Sequence, residues 1–202
     1  GKSWACHRGA RAAGGRLFLF VDADLTFQPD GLRRALATHS EKGGVLSIIP
    51  YHAVVKPYED LSLFFNLMMV IGVGAFSVRG QRRPPHGLFG QLLLVDVDAY
   101  ERVGGYAAVR HSLLENFQLA AEFRSHGIAM RCVGGRGAVS FRMYPNGLRE
   151  LTTGWLKASA AGAAGTPGLT LLLAIAWVTG CLLAVIGLIA ATFGVGGPIG
   201  VW

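Results

Sequence analysis

Asp22 and Asp24 stand one residue apart at the end of Arg16-Leu-Phe-Leu-Phe-Val21, an apolar run that reads as a buried strand. Open α/β sheets place their ligands beyond the carboxyl ends of strands. Two hard oxygen donors at such a place suit Mg2+ or Mn2+ carrying a diphosphate, because Mg2+ takes one or two protein carboxylates and completes its shell with phosphate oxygens and water. Asp is also an ordinary turn residue, so the pair alone supports a metal site and a plain turn equally. Asp96 and Asp98 form a second strand-end pair, read as a solvated turn and helix cap.

Two further residues bear on proton transfer. Ser112-Leu-Leu-Glu115 has the spacing of a capping box, in which the Glu reaches back to the helix start. Asn116 follows, and an amide cannot take a proton. His86, alone in a Pro-rich loop, reads as structural, and Trp4 as packing. Arg79, Arg82 and Arg83 near His86 are either phosphate contacts or solvated charges.

The elements that position these residues follow from pattern and punctuation. Gly1 to Gly15 is an Ala-rich helix closed by a Gly pair. A helix from Pro29 to about Lys42 carries Leu32, Ala35 and Leu36 on one face and stops at Gly43-Gly44. Val45 to Ile49 and Gln91 to Val95 read as strands, Ser112 to His126 as a helix stopped by Gly127, and Ile128 to Val133 and Ala138 to Arg142 as short strands. Strands alternating with helices make an α/β sheet. Leu61 to Val78 is nearly all apolar but interrupted by Asn66, and reads as a buried or interfacial helix in preference to a span. Asn146 to Ala161 brings Leu148, Leu151 and Trp155 to helical spacing, which fits a helix in the membrane surface and a core-facing helix alike.

Composition sets the outer limits. Half of the chain, 51%, is apolar, and no Asp, Glu, Lys or Arg occurs after Lys157. The whole formal charge of +7 therefore lies in the first 157 residues. Leu169 to Phe193 is an uncharged run of 25 residues, longer than the roughly 20 needed to cross a bilayer. Arg149 and Lys157 precede this run and no basic residue follows it, which by the positive-inside bias places the large domain in the cytoplasm and the protein in the cell membrane. The basic balance fits anionic lipid or an anionic sugar nucleotide. A nucleic-acid partner is not expected, since no aromatic-interleaved basic patch or zinc-ligand spacing occurs. The three cysteines, Cys6, Cys132 and Cys181, are far apart and read as reduced thiols.

Several motifs, in order, resemble family 2 glycosyltransferases of the GT-A fold. They are Asp22-Ala-Asp24, Gly87-Leu-Phe-Gly-Gln91, Ala99-Tyr-Glu-Arg-Val-Gly-Gly-Tyr106, Ser112-Leu-Leu-Glu-Asn-Phe-Gln-Leu-Ala120 and Arg142-Met-Tyr-Pro-Asn-Gly-Leu-Arg-Glu150 before Gly154-Trp-Leu-Lys157. Within that family they are similar to the membrane-bound branch with carotenoid-acid (4,4'-diaponeurosporenoate) and hopanoid-associated enzymes. The resemblance implies an inverting transfer of sugar from a nucleotide-diphosphate donor to a lipid or isoprenoid acceptor. Asp22 and Asp24 would hold the metal, with Asp22, Lys2, Gly90, Gln91, Gly104 and Gly105 at the donor and acceptor. The helix around Leu61 to Val78 would lean on the membrane and help form the acceptor pocket. Family members carry an Asp as general base where this chain has Asn116, which leaves Glu115 as the neighbouring acid.

The resulting expectation is a GT-A-like, Rossmann-like mixed α/β sheet over residues 1–145, lacking its first nucleotide-binding unit, then an amphipathic interfacial helix and linker over 146–166 and a transmembrane helix over 169–193. The chain is expected to be a fragment of a longer protein. Two other readings stay open. Asp22-Ala-Asp-Leu-Thr26 also fits the start of haloacid-dehalogenase-like phosphatases, with Asp22 as nucleophile. Asn116 fits a catalytically inactive membrane scaffold of the glycosyltransferase type.

Overall fold

The computed structural model describes residues 1–76, 83–112, 114–164 and 166–192. Arg79 and Arg82, the end of the 61–78 run, and Phe193 lie outside them. The first compact unit, residues 1–158, is a mixed α/β structure. Its elements run α1 (Lys2–Ala12), β1 (Leu17–Val21), β2 (Leu25–Phe27), α2 (Gly31–Ser40), β3 (Val45–Ile49), β4 (Tyr51–His52), a 3-10 turn (Pro57–Leu61), α3 (Ser62–Val73), β5 (Leu92–Asp96), α4 (Val97–Arg102), α5 (Gly105–Ala108), α6 (Glu115–Ser125), β6 (Met130–Gly134), β7 (Val139–Phe141) and α7 (Leu148–Ala164), the last continuing past residue 158.

Two sheets form. The larger has the order β1-β5-β3-β6, with β1 and β3 antiparallel to β5 and β6 parallel to β3. The smaller has the order β2-β7-β4. Strands β3 and β5 are largely apolar because both their faces are covered; the buried Ser47 hydroxyl is satisfied by the Phe89 backbone. On one face Leu93 and Val95 join Phe18, Tyr100, Tyr106, Leu119 and Phe123; on the other, Leu92 and Leu94 join Ala35, Leu46, Ile48 and Val139. Burying each such Leu contributes roughly 1.5–3 kcal/mol.

Some expectations are corrected by packing. Among the described residues, strand β1 lies at the edge of its sheet, with Phe18 buried and Leu19 and Val21 exposed. Helix α2 turns Gly31, Ala35 and His39 inward, leaving Leu32 and Leu36 outside. The close approach to the Ala138 carbonyl admits only a glycine at 31, and this contact sets which face is buried. Asp96 stands at the N-cap position of α4 but makes no side-chain bond to that helix; its Oδ2 instead accepts the Gly44 N–H at 2.6 Å and thereby holds the Gly43-Gly44 turn. Trp4 is not packed; it is 66% exposed beneath the Arg8 guanidinium.

Helix α3 has 12 residues, about 18 Å of rise, well short of a bilayer of about 30 Å. Leu63, Leu67 and Ile71, four residues apart, form an exposed apolar stripe along it. Its other side stacks Phe65 on Trp155 of α7, with centroids 6.3 Å apart and planes 11° from parallel. Leu151 of α7 is fully buried, while Leu148 is exposed. The first half of α7 therefore turns Leu151 and part of Trp155 to the core and leaves its other residues largely exposed.

The second unit, residues 159–202, contains α8 (Gly168–Thr192). Thr166-Pro167 separates it from α7, since proline supplies no N–H to continue a helix. Its 25 uncharged residues rise about 38 Å, enough by length and composition to cross a membrane.

Candidate functional site

The register of β1 against β5 builds the site. Val21 pairs with Leu92, and the ladder continues one step further, where the Asp22 N–H donates to the Gln91 carbonyl at 2.9 Å. Asp22 thus lies directly across from Gln91, with Gly90 beside it. The chain then turns back, the Leu25 N–H donating to the Asp22 carbonyl at 3.3 Å, and Asp24 is left exposed on the turn.

Helix α1 covers this strand end from its first turn. Lys2 Nζ donates to Asp22 Oδ1 at 2.5 Å and to the Gly90 carbonyl at 3.0 Å. Cys6, one helical turn further, lies on the same face and packs against the core. Burial pushes its thiol above the ordinary value; Lys2 opposes this, and the carboxylates of Asp22 and Glu115 reinforce it. Glu115, the first residue of α6, is next to Asn116 in sequence.

The opposite wall comes from α5 and α6. The Tyr106 hydroxyl, from α5, donates to Asn116 Oδ1 at 3.4 Å. The Asn116 amide lies so close to Gly90 that a Cβ there would overlap it. Gly105, at φ +50°, leaves no room for a side chain against the Tyr100 ring, and the Tyr106 N–H donates to Tyr100 Oη at 2.9 Å. Gly104 and Gly105 therefore shape the wall indirectly, by setting Tyr106. Burial drives the Tyr106 hydroxyl far above its ordinary pKa, and Cys6, Tyr100, Glu115 and Asp22 add to the effect. That hydroxyl stays protonated and acts as a donor.

The expected capping box does not form. Ser112 Oγ accepts the Leu114 N–H at 3.2 Å, and the Ser112 N–H donates to Val109 O, so α6 begins at Glu115 without a side-chain cap. Glu115 is thus not committed to the helix start. His86 is structural, its N–H on the Val73 carbonyl at 2.8 Å and its ring against Gly74. Arg83 is exposed.

The structure thus gathers Lys2, Asp22, Gly90, Gln91, Glu115 and Asn116, and adds Cys6 and Tyr106, which sequence reasoning missed. The signal for Cys6 was its spacing of four from Lys2; for Tyr106, its place directly after Gly104-Gly105. A second buried group had no sequence signal. Glu59, 0% exposed, takes Arg142 Nη2 at 2.6 Å and Nε at 3.0 Å on Oε1, and the Val55 N–H at 2.8 Å on Oε2. The bonds from Arg142 hold its carboxyl at about 2.

The donor chemistry here fits a divalent cation. Asp22 already holds a positive charge, the Lys2 ammonium, on one carboxylate oxygen. Among the described residues no cluster of three or more His, Cys, Asp or Glu occurs. Two protein carboxylates suffice for a cation that brings phosphate oxygens with it.

Comparison with known proteins agrees with this architecture. The chain is 33% identical over 196 residues to the 4,4'-diaponeurosporenoate glycosyltransferase of Staphylococcus haemolyticus, covering 96% of this chain and 52% of that protein. It is 33% identical over 191 residues to the enzyme of the same description from Staphylococcus aureus strain USA300, covering 93% and 51%. The chain thus spans about half the length of these curated relatives. Among solved structures it resembles a mannosyltransferase of Pyrobaculum calidifontis, determined in complex with GDP-Man and Mn2+, with a TM-score of 0.50 and 18% identity over 92% of this chain and 60% of that one. That likeness is one of fold, GT-A-like. The glycosyl transferase family 2 model matches residues 1–117, which carry the strand-end Asp22 and Asp24, Gly90, Gln91, Glu115 and Asn116, and the chain therefore belongs to that family.

Proposed function

We propose that the protein transfers a sugar from a nucleotide-diphosphate donor to a lipid-like acceptor at the cytoplasmic face of a membrane. The observation that carries this reading is Asp22, fixed by strand register across from Gln91 and joined through Lys2 to Gly90. Family membership supports the transfer, and the names of the Staphylococcus relatives support a carotenoid-type acid as acceptor class. The same membership removes the ground for the phosphatase reading.

Asp22 and Asp24 would hold Mg2+ or Mn2+, which when bound neutralises charge building on the diphosphate leaving group. Lys2 adds a positive charge beside the same phosphates. Gly90 and Gln91 supply backbone along which the sugar is laid, and the Asn116 amide, its oxygen held by the Tyr106 hydroxyl, supplies a hydrogen-bond donor. In the inverting displacement, an acceptor oxygen forms a bond to the anomeric carbon as the bond to phosphate breaks, and the electron pair leaves on the phosphate oxygen. An alcohol must also lose its proton, for which Glu115 is the carboxylate at hand. The exposed stripe of α3 suits lipid contact, and α8 suits a transmembrane anchor. Arg149 and Lys157 lie on the domain side of α8, and this basic flank supports a cytoplasmic domain.

The test is transfer of labelled sugar by the full-length protein in membranes, with and without a chelator. Wild type should transfer only with Mg2+ or Mn2+ present, and Asp24→Asn should lose both donor binding and its metal dependence. Metal-dependent donor binding that survives in Asp24→Asn would reject the site.

A second reading is supported by Asn116, an amide at the family's base position: a catalytically inactive scaffold. It predicts donor binding with no transfer to any acceptor, alcohol or carboxylate.

A further inference from the structure

We infer that the Lys2 ammonium is a resident substitute for the divalent cation on Asp22, and that the donor's diphosphate draws it off before the cation can bind. The inference rests on the proposed metal-dependent donor site. Lys2 Nζ sits 2.5 Å from Asp22 Oδ1 and 3.0 Å from the Gly90 carbonyl oxygen, one formal and one partial negative charge. The ammonium thus occupies Asp22 Oδ1, a carboxylate oxygen that Asp22 would need in order to hold a divalent cation. An ammonium and a divalent ion cannot share that oxygen without strong repulsion, since like charges a few ångströms apart repel steeply at a partly desolvated site.

The arrangement is easily reversed. Both side chains of the pair are about one third exposed, 38% and 32%, and exposed pairs of this kind contribute little to stability. Lys2 is a flexible point charge in the first turn of α1, so only its side chain need move. A diphosphate offers it more negative charge than one carboxylate does. Once Lys2 has moved to the phosphates, Asp22 is free to join Asp24. Cation alone should then bind poorly, donor alone should bind partly through Lys2, and each should favour the other, as binding linkage requires. The device keeps the strand-end carboxylate neutralised while no donor is present.

The experiment measures Mn2+ binding, by electron paramagnetic resonance of the free ion, to the full-length protein in detergent, first without nucleotide and then with UDP or GDP present. Wild type, Lys2→Met, Lys2→Arg and Asp24→Asn are compared at one ionic strength, with binding of UDP and of GDP measured separately in chelator. Lys2→Met should bind Mn2+ alone roughly tenfold more tightly than wild type and bind UDP or GDP in chelator several-fold more weakly. Lys2→Arg, which keeps the charge, should follow wild type in Mn2+ binding. Equal or weaker Mn2+ binding by Lys2→Met overturns the inference. If that equality comes with loss of Mn2+ binding in Asp24→Asn, the cation site stands and only the role of Lys2 falls. If no form binds Mn2+ with or without nucleotide, the cation site and the role of Lys2 fall together.

Discussion

The Tyr106 hydroxyl donates to Asn116 Oδ1, and this bond leaves the amide NH2 turned towards Gly90. The position therefore presents a neutral donor, held by a phenol that burial keeps protonated. A carboxylic-acid acceptor, ionised at neutral pH with a pKa of roughly 4, can attack without a base, whereas an alcohol cannot.

Asn116→Asp should accordingly raise transfer to alcohol acceptors far more than transfer to carboxylates. The check is a pair of rate measurements with one acceptor of each kind. If the unaltered protein already uses alcohols efficiently and Glu115→Gln abolishes that, Glu115 is the base and Asn116 is incidental.

Gly90→Ala should cost activity because a Cβ there overlaps the Asn116 amide and must push it away from Tyr106. Overpacking of this kind costs about 1–3 kcal/mol. Thermal unfolding should show a drop of that size with the fold kept. An Ala variant with full activity and unchanged stability would show that the amide moves freely.

Glu59 makes part of the stability pH-dependent. Its carboxyl is held at about 2 by Arg142, below the usual unfolded value of about 4.3. A depressed carboxyl stabilises the fold fully above the unfolded value, and the contribution is lost as pH falls through the folded one. The stability difference between wild type and Glu59→Gln should therefore be largest near neutrality and shrink between about pH 4.3 and 2. Near-ultraviolet circular dichroism during thermal unfolding at several pH values would measure it; a difference constant with pH would mean that the ion pair is dispensable.

A reporter fused after Trp202 should face away from the cytoplasm if α8 is the one span between it and the domain. A cytoplasmic reporter would overturn the orientation drawn from Arg149 and Lys157.

Much of the frame was legible because it rests on local pattern. The runs at Val45 and Leu92 are largely apolar since both faces are buried, and Gly14-Gly15 and Pro167 mark helix limits. The 25-residue α8 needs only composition to be seen. What sequence could not supply was pairing across distance. Leu32 and Leu36 look like a core face until Ala138 is known to lie against Gly31. Ser112 and Glu115 have cap spacing, but α6 begins three residues later. Glu59 and Arg142 are 83 positions apart, and no periodicity joins them. Within the site, Asp22 and Asp24 stood out by type, whereas Cys6 and Tyr106 entered only once α1 and α5 were placed around the strand end.

The pairing of Asp22 with Gln91 also makes the site sensitive to parity. Side chains alternate between the faces of a strand, so inserting or deleting one residue within Leu92–Asp96 would reverse every side chain beyond it and set a different backbone carbonyl opposite Asp22. A two-residue change would restore the faces but still move Gly90 away from Lys2. Length variation should therefore be excluded from β1 and β5 and confined to the connections outside them, where the count of residues does not decide what Asp22 faces.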